Sequence, residues 1–275
     1  MRTFCARIVL AVAALAAPCG AVPYLVEIEP GADAVVRSSA PGENYGGAGG
    51  LAASGASAVN MDGDQVGVLD TFMRFAMGDL VAELDAYFGG PNWQIESATL
   101  TLNEQARPNH ENYGRGAGLF AIRWLGNDAW VEGTGKQKTP TTDGVSYSDE
   151  VTLLDPNTDL GLGVFANNGP DYPEDFVDVV CDLALPDAFI DDIRAGGDVT
   201  LFFTAADDDV GFQFASHTNK DPSGRPVLSI VADDAAPIPE PASALLFAAG
   251  VVGVLSGRLR SRKRACRRTR PADSR

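Results

Sequence analysis

Ile95-Glu96-Ser97-Ala98-Thr99-Leu100-Thr101-Leu102 decides the fold class. Ala98, Leu100 and Leu102 alternate with Thr99 and Thr101. A period of two sends the apolar side chains to one face and the threonines to the other, which predicts a half-buried β-strand. Working outward, runs of the same kind recur. Residues 66–75 set Val68, Asp70, Phe72 and Arg74 against Leu69, Thr71, Met73 and Phe75. Residues 118–124 place Phe120, Ile122 and Trp124 on one side. Shorter runs at 24–29, 33–37, 151–154, 176–183, 199–204, 211–215 and 226–231 complete the set. Turn residues separate them: Pro30-Gly31, and a loop over 40–50 rich in Gly, Pro and Asn. Two segments read as helices. In one, Asp79 caps Leu80, Leu84 and Phe88, and Gly89-Gly90 stops it. The other runs over 186–195 with Ala188, Ile190 and Ile193 apolar, closed by Gly196-Gly197. Neither belongs to a βαβ rhythm. The expectation is an all-β sandwich or barrel carrying two short helical insertions.

The two ends read as addresses. Arg2 and Arg7 precede an apolar stretch over 8–17, and Cys19-Gly20-Ala21 supplies small residues for cleavage before Val22. That is the pattern of a secretory signal peptide over 1–21, with a cut after Ala17 as the alternative. At the other end, Pro239-Glu240-Pro241 precedes an uncharged apolar run over 242–257. A basic cluster follows: Arg258, Arg260, Arg262, Lys263, Arg264, Arg267 and Arg268. At about 1.5 Å per residue that run spans roughly 24 Å as a helix, short of the roughly 30 Å hydrocarbon core. Its length alone fits either a membrane span or a buried helix. The flanks favour a transmembrane helix with its arginines in the cytoplasm and the preceding domain outside.

Removing both ends leaves residues 22–237, with 35 acidic and 10 basic side chains and a net charge of −25. Such a body repels nucleic acid and anionic headgroups, and is expected to resist strongly anionic glycans unless divalent cations intervene. Of the four cysteines, Cys5, Cys19 and Cys266 lie in the end segments, so Cys181 alone remains and no intrachain disulfide forms. Its apolar surroundings predict a buried, inert thiol.

The tail's order of motif, span and basic stop resembles the PEP-CTERM sorting signal of Gram-negative bacteria that make extracellular polysaccharide. That resemblance implies export by the Sec machinery and transient anchoring through the C-terminal helix. Cleavage near Pro239-Glu240-Pro241 by an exosortase would then deliver the protein to the cell surface or extracellular matrix. A second resemblance lies in the body. Asp33-Ala34-Val35-Val36-Arg37, Asn44-Tyr45-Gly46, Thr71-Phe72-Met73-Arg74-Phe75 and the 95–102 strand are similar to the DNRLRE-type domain. So are Asn127-Asp128-Ala129-Trp130-Val131-Glu132-Gly133-Thr134, Phe214-Ala215-Ser216-His217 and Arg225-Pro226-Val227-Leu228. It implies a jelly-roll β-sandwich, some of whose relatives are polysaccharide-binding modules. The helix near 78–88 and the insert over 136–186 depart from the pattern. The expected organisation is a signal peptide over 1–21, the sandwich over 22–231, a linker over 232–237 and the sorting signal over 238–275.

Site candidates follow from chemistry. Sugar rings stack on exposed aromatics, which selects Tyr113, Trp130 and Tyr172; Trp124 and Trp93 read as packing residues. Ca²⁺ takes oxygen ligands from acidic loops, which selects Asp62 and Asp64 beside Asn60, and Asp207-Asp208-Asp209. Asp171, Glu174 and Asp175 form a third such loop. None has the spacing of an EF-hand, and solvated turn acids are the plain alternative. No cofactor is required beyond such structural Ca²⁺. Arg74 is expected to pair with Asp70, and Arg225 to hold the start of the last strand through an ion pair. His110 and His217 are the only histidines, and no nucleophile elbow, zinc helix or phosphate loop is present. The expected function is therefore non-enzymatic: a surface or matrix protein with affinity for polysaccharide. A purely structural matrix role and, further off, glycan cleavage by paired carboxylates are the alternatives.

Overall fold

Strand β5 (Trp93–Glu104) pairs with three other strands, and its alternation is as expected: Ala98, Leu100 and Leu102 are buried. The computed structural model describes residues 22–60, 62–104, 113, 116–169 and 177–235. The remaining strands are β1 (Tyr24–Ile28), β2 (Ala32–Arg37), β3 (Gly50–Ser54), β4 (Leu69–Ala76), β6 (Gly118–Leu125) and β7 (Leu160–Asn167). They are followed by β8 (Val177–Leu183), β9 (Asp198–Ala205), β10 (Gly211–Ala215) and β11 (Val227–Asp234). Every pairing is antiparallel. The hydrogen-bonded path runs β1-β11-β5-β10-β3-β4-β9-β6-β7, with β2 beside β4 and β8 beside β5. The joins β10–β5 and β3–β4 are single residue pairs, Phe214↔Glu104 and Ser54↔Leu69. Leu100 and Leu102 of β5 and Leu228 and Ile230 of β11 share one core with Phe120 and Ile122 of β6 and Leu201 and Phe203 of β9. Two sets of strands thus pack face to face as an all-β sandwich.

A bulge in β5 explains a phase change. Ser97 pairs with Val231 but Ile95 with Ala232, leaving Glu96 as the extra residue. The buried set accordingly switches from Trp93 and Ile95 to Ala98, Leu100 and Leu102. β11 continues to Asp234, so residues 232–234 belong to the sheet rather than to a linker.

Both expected helices form. α1 (Gly78–Phe88) ends at Gly89 in the left-handed conformation, and Gly196 likewise closes a later helix over Asp187–Ala195. Residues 151–154, expected as a strand, instead form a helical turn, α2 (Glu150–Leu153). Ser146 and Asp149 build a capping box around the preceding turn, and this local satisfaction of backbone donors overrides the β-preference of Val151 and Thr152. With α2 named, the Asp187–Ala195 helix is α3. Two strands have no strong signal in the sequence. β3 is made of Gly and Ala between Leu51 and Ser54, and Gly161 and Gly163 interrupt β7.

The segment 128–154 covers the outer face of β2, β4 and β9. Trp130, Val145 and Leu153 form a second core there with Ala34, Phe72 and Phe202. Arg74 does not pair with Asp70. Its guanidinium reaches Asp198 at 3.4 Å, donates to the Asp128 and Trp130 carbonyls and lies 4.9 Å from the Trp130 ring centroid. The reason is the pleat: Arg74 on β4 stands opposite Thr200 on β9, next to Asp198. Asp70 instead meets Glu150 beneath the covering segment. Its Oδ1 and the Glu150 Oε1 are both buried without a conventional donor. Burial raises both carboxyls, and the charge of Asp70 raises Glu150 further. Two carboxylates in contact cannot both ionise cheaply, so the pair holds a proton.

A raised carboxyl contributes stability that is present below its ordinary value and lost as pH climbs through the folded one. Glu150→Gln replaces the shared proton with an amide donor. Thermal denaturation should show the variant melting roughly 2–4 °C above the wild type at pH 9, the shift that about 1 kcal/mol produces in a domain of this size. The gap should close at pH 5.

Candidate functional site

At one end of the sandwich the chain brings together β2, the stretch after Trp130 and the end of β10. Asp33 is fully buried there. Its Oδ1 accepts from Ser216 Oγ at 2.7 Å and its Oδ2 from the His217 backbone N–H at 2.7 Å. The Asp33 N–H donates to Glu132 Oε1 at 3.2 Å. His217 Nδ1 lies 3.1 Å from Asp33 Oδ2 and 3.4 Å from Glu132 Oε1, close to both and aligned squarely with neither. The close contact with Asp33 raises the imidazole above its ordinary value, aided by the charges of Asp33 and Glu132; burial and Arg225 oppose it. Burial also raises the Glu132 carboxyl.

The ligand atoms of Asp33, Glu132 and His217 fall within 4.8 Å of one another, the only such trio among the described residues. Asp33 already accepts two protein hydrogen bonds and Glu132 one. That donor set fits an imidazolium held between two carboxylates better than a divalent ion, which would compete for oxygens already engaged.

Beside this trio, Asn44 ties two loops together. It is fully buried. Its Nδ2 donates to the Glu132 carbonyl at 2.6 Å and the Val145 carbonyl at 2.8 Å. Its Oδ1 accepts from the Gly46 and Gly135 N–H groups at 3.1 and 3.2 Å. The approach is so close that a Cβ on Gly135 would stand 1.8 Å from the Asn44 carbonyl oxygen, and one on Gly46 would stand 1.9 Å from that of Glu132. Glycine is required at both by space alone. Asn44, Asp33, Glu132 and His217 lie within the stretches that carry the domain resemblance, but no chemical signal in the sequence marks them as neighbours.

A groove of about 950 Å³ opens over this junction, formed by the loops 46–50, 132–139 and 218–220 with Tyr113. Tyr113 was expected as an exposed ring. It is buried, its hydroxyl donating to the Gly50 carbonyl at 3.0 Å, so it forms part of the groove wall and offers no open stacking face. Trp130 is not a glycan platform either. It is buried against Phe72 and donates to Thr200 Oγ1 at 3.0 Å. Tyr172, and the acidic trio Asp171, Glu174 and Asp175, lie outside the described residues, as do His110 and the sorting motif Pro239, Glu240 and Pro241.

Among the described residues neither Asp62 and Asp64 nor Asp207, Asp208 and Asp209 join a cluster of three ligand side chains. Asp62 and Asp64 are exposed, and their backbone N–H groups are held by Asn60 Oδ1 at 3.0 and 2.9 Å. Asp207, Asp208 and Asp209 are exposed as well, and Asp207 Oδ2 accepts from the Leu119 N–H at 2.8 Å. These are turn-closing acids. Arg225 behaves as expected, 3.3 Å from Glu29. Cys181 is buried, and burial pushes its thiol up to about 12.

No protein-family model matches the chain, and no curated protein matches it.

Two measurements probe the junction. Asn44→Ala strands at least two buried N–H groups and two carbonyls. Urea unfolding should show a loss of about 3 kcal/mol or more. The His217 contribution has the opposite pH logic to an ordinary surface carboxylate. Its raised value means the stability is present below pH 6.5 and disappears as pH rises through the folded value. In a Glu150→Gln background, which removes the other titrating pair, His217→Gln should flatten the remaining fall in stability between pH 6 and pH 9. An unchanged slope would show that the imidazole is not the charged partner of Asp33.

Proposed function

We propose that the protein is exported, anchored transiently through its C-terminal helix, released near Pro239-Glu240-Pro241 by an exosortase-type enzyme, and held at the cell surface or in the extracellular matrix as a polysaccharide-binding component. The observation that carries this reading is the order of the tail: Pro-Glu-Pro, an uncharged apolar run over 242–257, and a basic stop from Arg258. The signal-peptide pattern over 1–21 and the −25 charge of residues 22–237 agree with a life outside the cell. The antiparallel sandwich supports a jelly-roll domain of the DNRLRE type. Among the described residues no helix is long and apolar enough to cross a membrane.

The role is binding rather than catalysis. Cys181 is buried with a raised thiol, and His217 is taken up by Asp33 and Glu132. The groove, lined by glycines and by Lys, Thr, Gln and Asn side chains, is a surface feature suited to a ligand. A purely structural matrix protein is the second reading, because a strongly acidic surface by itself serves solubility.

The protein recovered outside the cell should have a C-terminus near Pro241 by intact-mass spectrometry, and affinity gels loaded with different polysaccharides should retard it in at least one case. An external protein that still ends at Arg275 overturns the processing. Free migration through every gel favours the structural reading.

A further inference from the structure

We propose that the groove over the Asn44 junction binds an anionic polysaccharide, one bearing carboxylate or sulfate groups, through Lys136, Lys138 and Lys220. The inference rests on the polysaccharide-binding reading above and adds to it a location and a sign of charge.

The chain has four lysines. Lys263 lies in the basic tail, and the other three all line this one groove. All three are exposed, and among the described residues none makes an ion pair. The arginines behave differently. Arg74 pairs with Asp198, Arg225 with Glu29, Arg194 lies over Trp93 and donates to the Pro91 carbonyl, and Arg37 lies over Tyr45. These four arginines hold the fold, and the three lysines are left free for a ligand.

Among the described residues the only carboxylate lining the groove is Glu132, whose Oε1 already faces the Asp33 N–H and the His217 imidazole. Three ammonium groups thus face one carboxylate among the described lining residues, with Asp143, which accepts from Thr134, and Asp221, next to Lys220, at the edge. At 0.15 M ionic strength the Debye length is about 8 Å, so a bound anion senses mainly the groove and little of the acidic surface beyond it.

The lysines sit on loops that are already set. Lys136 and Thr139 close a tight turn through paired backbone bonds of 3.0 and 2.9 Å, and Gly135 anchors that turn on Asn44. Across the groove, Thr218 Oγ1 and Asn219 Nδ2 donate to the Ala48 and Gly49 carbonyls, fixing the approach to Lys220. Such preorganisation lowers the ordering cost of binding.

The ligand class follows from the chemistry. Lysine presents a compact, strongly hydrated charge on a flexible stem, suited to oxyanions without demanding one planar geometry. One exposed ion contact contributes little. A polymer with repeating charges engages three ammonium groups together, so each contact after the first becomes intramolecular. Tyr113 presents no open face, so the described residues of the groove offer no platform for stacking on a neutral sugar.

The test compares the exported protein with its Lys136→Gln/Lys138→Gln/Lys220→Gln variant in affinity gels containing dextran, dextran sulfate or polygalacturonate, at 0.15 M and 1 M NaCl. Any residual C-terminal segment is common to both proteins and cancels. The wild type should be retarded by one or both charged polymers and not by dextran, and retardation should vanish at 1 M salt. The triple glutamine variant should bind at least tenfold more weakly with an unchanged melting temperature, and the corresponding triple arginine variant should keep binding. The two charged gels separate sulfate from carboxylate recognition. Equal binding by the glutamine variant, or a preference for dextran, overturns the lysine groove and leaves the polysaccharide reading standing. Migration unaffected by all three polymers, and by any other glycan tried, removes both.

Discussion

The buried side-chain amide of Asn44 is the constraint on which the groove end of the molecule depends. Its two donors and one acceptor oxygen are all engaged by backbone groups: the distant Glu132 and Val145 on one side, the distant Gly135 and the neighbouring Gly46 on the other. A buried amide costs free energy unless its polar atoms are matched, and here the matching fixes how the 132–145 stretch sits on the 44–50 loop. The glycines follow from that approach, because no Cβ fits at 46 or 135. Trp130 and Val145 then cover Phe72 and Phe202, so the same anchoring also closes the second core. Groove, covering segment and sheet are one arrangement.

Charge is handled in three distinct ways. Arg37, Arg74, Arg194 and Arg225 are bound into the framework by carbonyls, rings and single carboxylates. Buried acids are matched either by donors, as Asp33 is by Ser216 and His217, or by a shared proton, as Asp70 is with Glu150. The lysines stay in water. In a body this acidic, the location of the few unmatched cations carries more information about a ligand than the location of the many acids.

Much of the sandwich was legible in the sequence. The 95–102 alternation, the 118–124 face and the glycine stops of α1 and α3 each depend on local rules, and each is found. The misses have local causes too. β3 lacks large side chains, β7 carries two glycines, and the capping box at Ser146 turns a β-type run into a helical turn. The aromatic candidates failed on burial: neither Tyr113 nor Trp130 is open to solvent, because each finds both apolar neighbours and a partner for its polar tip. Arg74 paired across the sheet with Asp198 and not along its own strand, a choice set by strand pairing that the order of residues in β4 does not reveal.

By itself the sequence determined an all-β body, its acidic charge, the apolar setting of Cys181 and the order of apolar and charged runs at its ends. These are properties of composition and of patterns a few residues long, and they need no knowledge of what packs where. Only the tertiary structure decided that Asp33, Glu132 and His217 meet, that Asn44 joins two loops, and that Lys136 and Lys138 face the same groove as Lys220. Those meetings join segments scores of residues apart, through strand pairings and buried hydrogen bonds whose partners only the folded chain brings together.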